Sequence, residues 1–451
     1  MKRKCFVLST CLLVTVMAQA QNVEPKYIEL TAQERQMVNH NNQFAFRLFK
    51  EARNNESLIL SPLSITYALG LINNGATGET RKQINETLGF GDYGAEAINK
   101  FCKKMLTESP LLDESTRIMI ANTIYVNAGL GYSLQPTFTE LSNNYYDAQP
   151  QARNFYDLSV VDEINQWGND HTLGMIPQVL SRETFNPDAI SYLLNAIYFK
   201  GEWTLPFDAD ETREEPFDAG PTVPMMHMNE TLSYSDNETF QMAKLPYGNT
   251  IYNISILLPR EHKTIDDVLE YINEKSWPNV YYSTRDYILD LKLPSFETES
   301  RVPLNNIMSN IGMPRAFQPG YAEFPNFCNE EKDVFISSMF QVARIKLDEK
   351  GTEAAAVTVI GMETTSIDDI TPKNAILHAN RPFLYVISES TTGTIFFIGQ
   401  YMGKGITSDI DGEAFGVEGE TTSIYDLTGR RLKQKPSRGI YIQDGKKMLV
   451  K

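Results

Sequence analysis

Apolar positions change their period along this chain. Ile65, Ala68, Leu69 and Ile72 recur at i, i+3, i+4 and i+7, the spacing of a helix that lays one apolar face on a core, and Asn73-Asn74-Gly75 closes it. Further on the period falls to two. Ile288-Leu289-Asp290-Leu291-Lys292-Leu293-Pro294 alternates as a strand with one buried face does. Helical patterns come first and strand patterns dominate later, with no internal repeat and no regular strand-helix alternation. That order predicts an α+β fold with large, mainly antiparallel sheets rather than a doubly wound parallel sheet.

The two ends of the chain depart from this pattern. Lys2, Arg3 and Lys4 precede an apolar run over residues 5–17 and the small-x-small triplet Ala18-Gln19-Ala20, so residues 1–20 read as a secretory signal with Gln21 as the first mature residue. A lipoprotein signal ending at Cys11 after Leu8-Ser9-Thr10 is the alternative, with a very short apolar stretch before that cysteine. No other window is long and apolar enough for a spanning helix. An exported protein is expected, extracellular, on the cell surface or in the periplasm. Residues 21–39 form an N-terminal extension and the body runs over 40–404. Gly403, Gly405, Gly412, Gly416 and Gly419 then mark a linker, 405–420. In the remaining tail, 421–451, Ile424-Tyr425-Asp426-Leu427-Thr428-Gly429-Arg430 and Gly439-Ile440-Tyr441-Ile442-Gln443 look like short strands, with Asp444-Gly445 a tight-turn pair, so a small β appendage is expected.

Composition sets the class. With 42% hydrophobic and 22% charged residues the chain has ample material for a core. The formal net charge is -16, and residues 21–404 alone carry 30 basic against 50 acidic side chains. That balance repels phosphate backbones and anionic headgroups, so a nucleic-acid partner is not expected. Once the leader is removed only Cys102 and Cys328 remain. At most one disulfide can form, and without paired-cysteine spacing two buried thiols are the favoured reading. The five histidines, His40, His171, His227, His262 and His378, include no pair at metalloprotease spacing, so no metal and no cofactor are expected. Gly-x-Ser-x-Gly, the phosphate-binding loop and Gly-x-Gly-x-x-Gly after a strand are all missing. The carboxylate pairs Glu214-Glu215 and Asp368-Asp369 read as solvated loops. No constellation supports an enzyme.

The informative stretch is Lys346-Leu347-Asp348-Glu349-Lys350-Gly351-Thr352-Glu353-Ala354-Ala355-Ala356-Val357-Thr358-Val359-Ile360. Alanines that favour a helix give way to a β-branched run and then Gly361, so the segment can be helical or extended at modest cost. Small side chains and this ambivalence suit a segment that leaves one environment and enters another.

Here the sequence resembles the serpin family. Glu349-Lys350-Gly351-Thr352-Glu353-Ala354-Ala355-Ala356 matches the hinge of that family's reactive-centre loop. Other matches follow in order: Leu60-Ser61-Pro62-Leu63-Ser64-Ile65, Asn74-Gly75-Ala76-Thr77-Gly78-Glu79-Thr80, Ile164-Asn165-Gln166-Trp167, Thr172-Leu173-Gly174-Met175-Ile176, Asn195-Ala196-Ile197-Tyr198-Phe199-Lys200-Gly201-Glu202-Trp203 and Asn380-Arg381-Pro382-Phe383. The resemblance covers about residues 40–404. It implies three β-sheets, eight or nine helices and an exposed loop that a protease attacks as substrate, after which the freed hinge inserts into the largest sheet and traps the acyl-enzyme. Alternate residues of an inserted strand share a face. If Thr352 points inward, so do Ala354, Ala356, Thr358, Ile360, Met362 and Thr364, none of them charged, while Glu353 and Glu363 fall in the opposite set.

The family register places the scissile bond between Thr365 and Ser366. A small β-branched residue there suits elastase-like or subtilisin-like serine proteases, with papain-like cysteine proteases also open, and Val359, Ile360 and Met362 offer other registers. By the same matching Ser61, Ser64 and Asn195 fall in a polar cluster beneath the large sheet, where Gln341 stands in place of the usual histidine, and Trp203 falls where the loop first enters. A monomer is implied. A second class stays open, a binding or carrier member of the same fold. Hinges of that class carry bulky or charged residues at inward positions, and this one does not. The tail resembles a sorting segment of exported Bacteroidetes-type proteins through Tyr425-Asp426-Leu427-Thr428-Gly429-Arg430 and Lys446-Lys447-Met448-Leu449-Val450-Lys451. Such a tail is cleaved, anchoring or simply structural.

Overall fold

The computed structural model describes residues 26–91, 93–218, 220–329, 333–352 and 372–403, together with the backbone of five short strands beyond them. Among these residues nine α-helices occur: α1 (Ala32–Ala52), α2 (Pro62–Asn73), α3 (Gly78–Leu88), α4 (Ala95–Glu108), α5 (Pro136–Tyr146), α6 (Ser159–His171), α7 (Ile265–Lys275), α8 (Trp277–Tyr281) and α9 (Asn305–Asn310). Helix α1 opens on a capping box in which Thr31 and Glu34 satisfy each other's backbone N–H groups. Helix α2 opens on Ser61 with Pro62 at its first position. It is buried on every side rather than along one face, because Ser64 and Thr66 find partners inside the protein. The single apolar face read from the sequence was therefore too narrow.

One sheet has nine strands: β1 (Leu58–Leu60), β5 (Arg213–Pro216), β6 (Thr222–Asp236), β7 (Phe240–Pro246), β8 (Tyr252–Pro259), β9 (Arg285–Pro294), β13 (Lys373–His378), β14 (Phe383–Glu389) and β15 (Ile395–Tyr401). Long strand β6 pairs with both β9 and β7 and so joins two groups of strands into one surface. Among the described residues the two groups, β5-β6-β9-β13 and β7-β8-β14-β15-β1, thus meet at β6, as the α+β serpin-type fold expected from the resemblance allows. Strand β9 alternates as its sequence predicts, with Leu289, Leu291 and Leu293 buried. Glu214 and Glu215 lie on β5 and not in a loop. Glu215 accepts from His227 Nε2 at 2.7 Å and from Lys292 Nζ at 2.9 Å, and these cross-strand partners are what make the position a strand.

The second sheet runs β16-β10-β11-β12-β4-β2-β3, built from β2 (Thr116–Asn127), β3 (Gln151–Arg153), β4 (Ser191–Glu202), β10 (Phe296–Pro303), β11 (Ser338–Asp348), β12 (Gly351–Thr352) and β16 (Ser408–Asp409). Strand β16 lies in the stretch read as a linker and pairs with the β10 edge, whose open N–H and C=O groups favour such an addition. The tail strands β17 (Ile424–Tyr425), β18 (Arg431–Leu432), β19 (Gly439–Gln443) and β20 (Lys446–Val450) form a separate four-stranded sheet.

The large apolar core lies on one face of the seven-stranded sheet and includes Leu347, Ile345, Ala343 and Met339 of β11. A smaller core covers the other face, where Val160, Val161 and Ile164 of α6 and Ile176, Val179 and Leu180 after it meet Leu194 and Ala196 of β4 and Phe340 and Val342 of β11. This α6 segment is tied to both sides of the sheet. Glu163 takes Tyr125 Oη of β2 at 3.3 Å and Arg153 Nε of β3 at 2.8 Å. On the far side Arg344 Nη1 of β11 donates to Met175 O at 3.0 Å, and Arg301 of β10 donates to Val179 O at 3.4 Å and to Gln178 O.

Candidate functional site

Strands β4 and β11 pair directly and in parallel from Tyr192 and Ser338 up to Tyr198 and Arg344. Above that level they part, and β12 occupies the gap. Thr352 pairs with Leu347 on one side and Gly201 on the other, and Gly351 with Asp348 and Glu202, both antiparallel. The chain reaches this position through a tight reversal, with Lys350 N donating to Asp348 Oδ1 at 3.0 Å as in an Asx-turn. Gly351 has φ +147°, and a Cβ there would lie 2.8 Å from Glu202 Cα, so only glycine fits.

Side chains hold the hinge from below. Thr352 is fully buried, and its Oγ1 lies 2.9 Å from Tyr247 Oη. Burial pushes the Tyr247 phenol far above its usual range, so the hydroxyl stays protonated and able to donate. Tyr247 stacks on Trp203 with centroids 4.5 Å apart. Trp203 Nε1 donates to Asp348 O at 2.8 Å and Trp203 N to Lys350 O at 2.9 Å. Glu349 is fixed at both ends: Thr212 Oγ1 donates to its carboxylate at 2.7 Å and Phe207 N to its carbonyl at 2.8 Å.

Lower in the same seam lies a buried polar cluster. Asn195 of β4 and Gln341 of β11 face each other in register, and Gln341 Nε2 donates to Asn195 Oδ1 at 2.5 Å. Gln341 also mimics a strand toward α2, accepting from Ser61 N at 2.8 Å and donating to Ser61 O at 3.0 Å. Asn195 Nδ2 donates to Asn122 Oδ1 at 2.7 Å and to Ser64 Oγ. All of these polar groups lie within the core, so each bond lost on opening would leave a group unsatisfied at about 1–3 kcal/mol.

The structure thus brings Ser61, Ser64, Asn195 and Gln341 together at one station of the seam, and Glu349, Lys350, Gly351, Thr352 and Trp203 at its mouth. Glu353, Ala354, Ala355 and Ala356 of the hinge, and Thr365 and Ser366 of the expected bond, lie outside the described residues. Sequence reasoning missed Tyr247, Thr212 and Asn122. None sits in a motif, and only the register of distant segments reveals them. Cys102 and Cys328 are both free and buried, with thiols pushed up to about 12 by burial, so neither is a nucleophile at neutral pH.

The family model for Serpin (serine protease inhibitor) matches residues 39–403. The chain belongs to the serpin family. An uncharacterized serpin-like protein of Thermococcus kodakarensis is 30% identical over 377 residues, covering 82% of this chain and 86% of its own. Plasminogen activator inhibitor 2 of Homo sapiens is 28% identical over 412 residues, covering 80% of this chain and 98% of its own. Among solved serpins, thermophilic tengpin in its native state superposes with a TM-score of 0.73 at 27% identity, covering 85% of this chain and 96% of its own. Thyroxine-binding globulin in complex with thyroxine, at 24% identity and a TM-score of 0.71, shares the fold. The serpin fold thus sets β4, β11 and the hinge strand in one sheet.

Proposed function

We propose that this serpin is a suicide inhibitor of proteases. A target enzyme attacks the loop between Thr352 and β13 at the Thr365–Ser366 bond, becomes acylated, and is carried away as the freed segment inserts between β4 and β11. The observation that supports this most is the seated hinge. Gly351 and Thr352 already form a strand at the mouth of a seam whose lower part is closed by one direct strand pairing and one amide cluster. An inserting strand would replace a single parallel pairing with two antiparallel ones. Elastase-like or subtilisin-like serine proteases, and papain-like cysteine proteases, are the targets this reading names. The protein acts after export, as a monomer, and without catalysis of its own. No described helix is long and apolar enough to cross a membrane.

The deciding experiment incubates the protein with a panel of serine and cysteine proteases and runs a denaturing gel. A covalent band that survives boiling supports the trap. Cleavage in the loop with no such band for any enzyme would leave a binding or carrier role.

A further inference from the structure

Lys200 of β4 and Lys346 of β11 stand on either side of the open mouth of the seam. The parallel register of these strands, extended past Tyr198 and Arg344, sets the two lysines opposite each other. Arg117 pairs with Lys200 from β2, and Glu297 pairs with Lys346 from β10. Glu297 is drawn aside to Arg344, which donates to it through Nε at 2.7 Å. Among the described residues Lys346 makes a loose contact with Asp348 at 3.9 Å. The row across the sheet therefore reads cation, cation, gap, cation, anion, with the anion turned toward Arg344. Like charges directly opposite disfavour closing such a gap with direct pairing, whereas an anion between them would be held from both sides.

The chain supplies that anion. Thr352 is registered against Leu347 and Gly201, so the next residue of a strand continued antiparallel would fall between Lys346 and Lys200. That residue is Glu353. Continued into the seam, the same register would carry Val357 between Val342 and Ala196, both members of the apolar cluster under α6. It would carry Thr358 between Gln341 and Asn195, where a hydroxyl can accept and donate in place of the bond it would part. At each level an inserted strand would bring the chemistry its two neighbours call for.

We propose that Lys200 and Lys346 are positioning residues for insertion, a paired cationic seat that captures the Glu353 carboxylate at the first step and commits the hinge to the seam. This rests on the inhibitory reading above, and it turns a charge counted as solvent-facing into a guide for the strand.

The test is a charge swap in the full chain, read by the ratio of cleaved inhibitor to covalent complex with a protease that the parent traps. The Lys200→Glu/Lys346→Glu double variant should raise that ratio roughly tenfold. Adding Glu353→Lys should bring it back toward the parent value. The same order should appear in thermal unfolding of the loop-cleaved forms, a readout that needs no live enzyme. As a fold control, Lys100→Gln removes an exposed ion pair with Glu96 within α4 and should change neither quantity. Parent-like partition in the double variant, or no recovery in the triple, would overturn the seat. A parent that traps no enzyme would instead sink the inhibitory reading, and the cleaved-form unfolding series would still judge the seat.

Discussion

Replacing Thr352 with arginine tests the trap at its first step. Thr352 is fully buried against Tyr247, and the space beside it is already filled. A Cβ on neighbouring Gly201 would lie 2.8 Å from the Tyr247 ring, and that ring is stacked on Trp203. An arginine must therefore either bury its charge without a partner or leave the seam and surrender the pairings to Leu347 and Gly201. Taking about 3 kcal/mol for the smaller of these penalties, entry of the strand slows roughly 150-fold. Hydrolysis of the acyl-enzyme is untouched, so Thr352→Arg should be cut at the same bond and release active protease. Thr352→Val keeps the shape and loses only the hydroxyl contact, which at about 1 kcal/mol should slow entry only about fivefold. The assay is residual protease activity against inhibitor added, with the covalent band followed on a denaturing gel. An arginine variant that inhibits as fast and as stoichiometrically as the parent would refute insertion of this strand as the mechanism.

Thr365→Arg should shift inhibition toward trypsin-like enzymes, whose specificity pocket carries a carboxylate at its base; in the parent, mass spectrometry should show the released C-terminal fragment starting at Ser366, and a start at Glu363 would move the bond to Met362. Cleavage in the loop should raise the thermal midpoint by tens of degrees, since about a dozen inserted residues at ~0.5–1.5 kcal/mol per hydrogen bond rival the stability of an ordinary domain. An equal or lower midpoint for the nicked form, with the cut confirmed, would favour the carrier class. Cys102 and Cys328, with thiols held neutral up to about pH 12 by burial, should resist a thiol reagent at pH 8 in the folded protein and both react on unfolding. Rapid labelling of either in the native state would contradict their burial.

Local pattern and family resemblance recovered different parts of this molecule. The alternation in residues 288–294 predicted β9 because one face of it meets the core and the other meets water, so burial writes itself into the sequence. Helix α2 carried no such signature, being buried all round, and its polar residues are satisfied by segments far along the chain. Of the expected hinge, Gly351 lies where its φ and its close contact admit only glycine, a constraint that a sequence can display at a single position. Tyr247 and Thr212 were not legible. Each meets the hinge from more than a hundred positions away, and nothing next to either residue marks that meeting. The β16 strand was hidden for another reason: glycine around it reads as freedom, while the β10 edge offers a template the sequence alone does not display.

The α6 segment spans the seam like a strap buckled on both sides. A strand added between β4 and β11 moves the two halves of the sheet apart by about 4.8 Å. A hydrogen bond of 3.0 Å, such as Arg344 to Met175 O, does not survive a shift of that size, nor do those of Arg301 to Val179 O and Gln178 O. On the other side Glu163 is held by both Tyr125 and Arg153, beside the apolar packing of Val160, Val161 and Ile164. The arginine buckle is the weaker one. On the inhibitory reading, insertion would have a second moving part: the segment after α6 would have to let go of β10 and β11 before the strand passed beneath it, and close again one strand over.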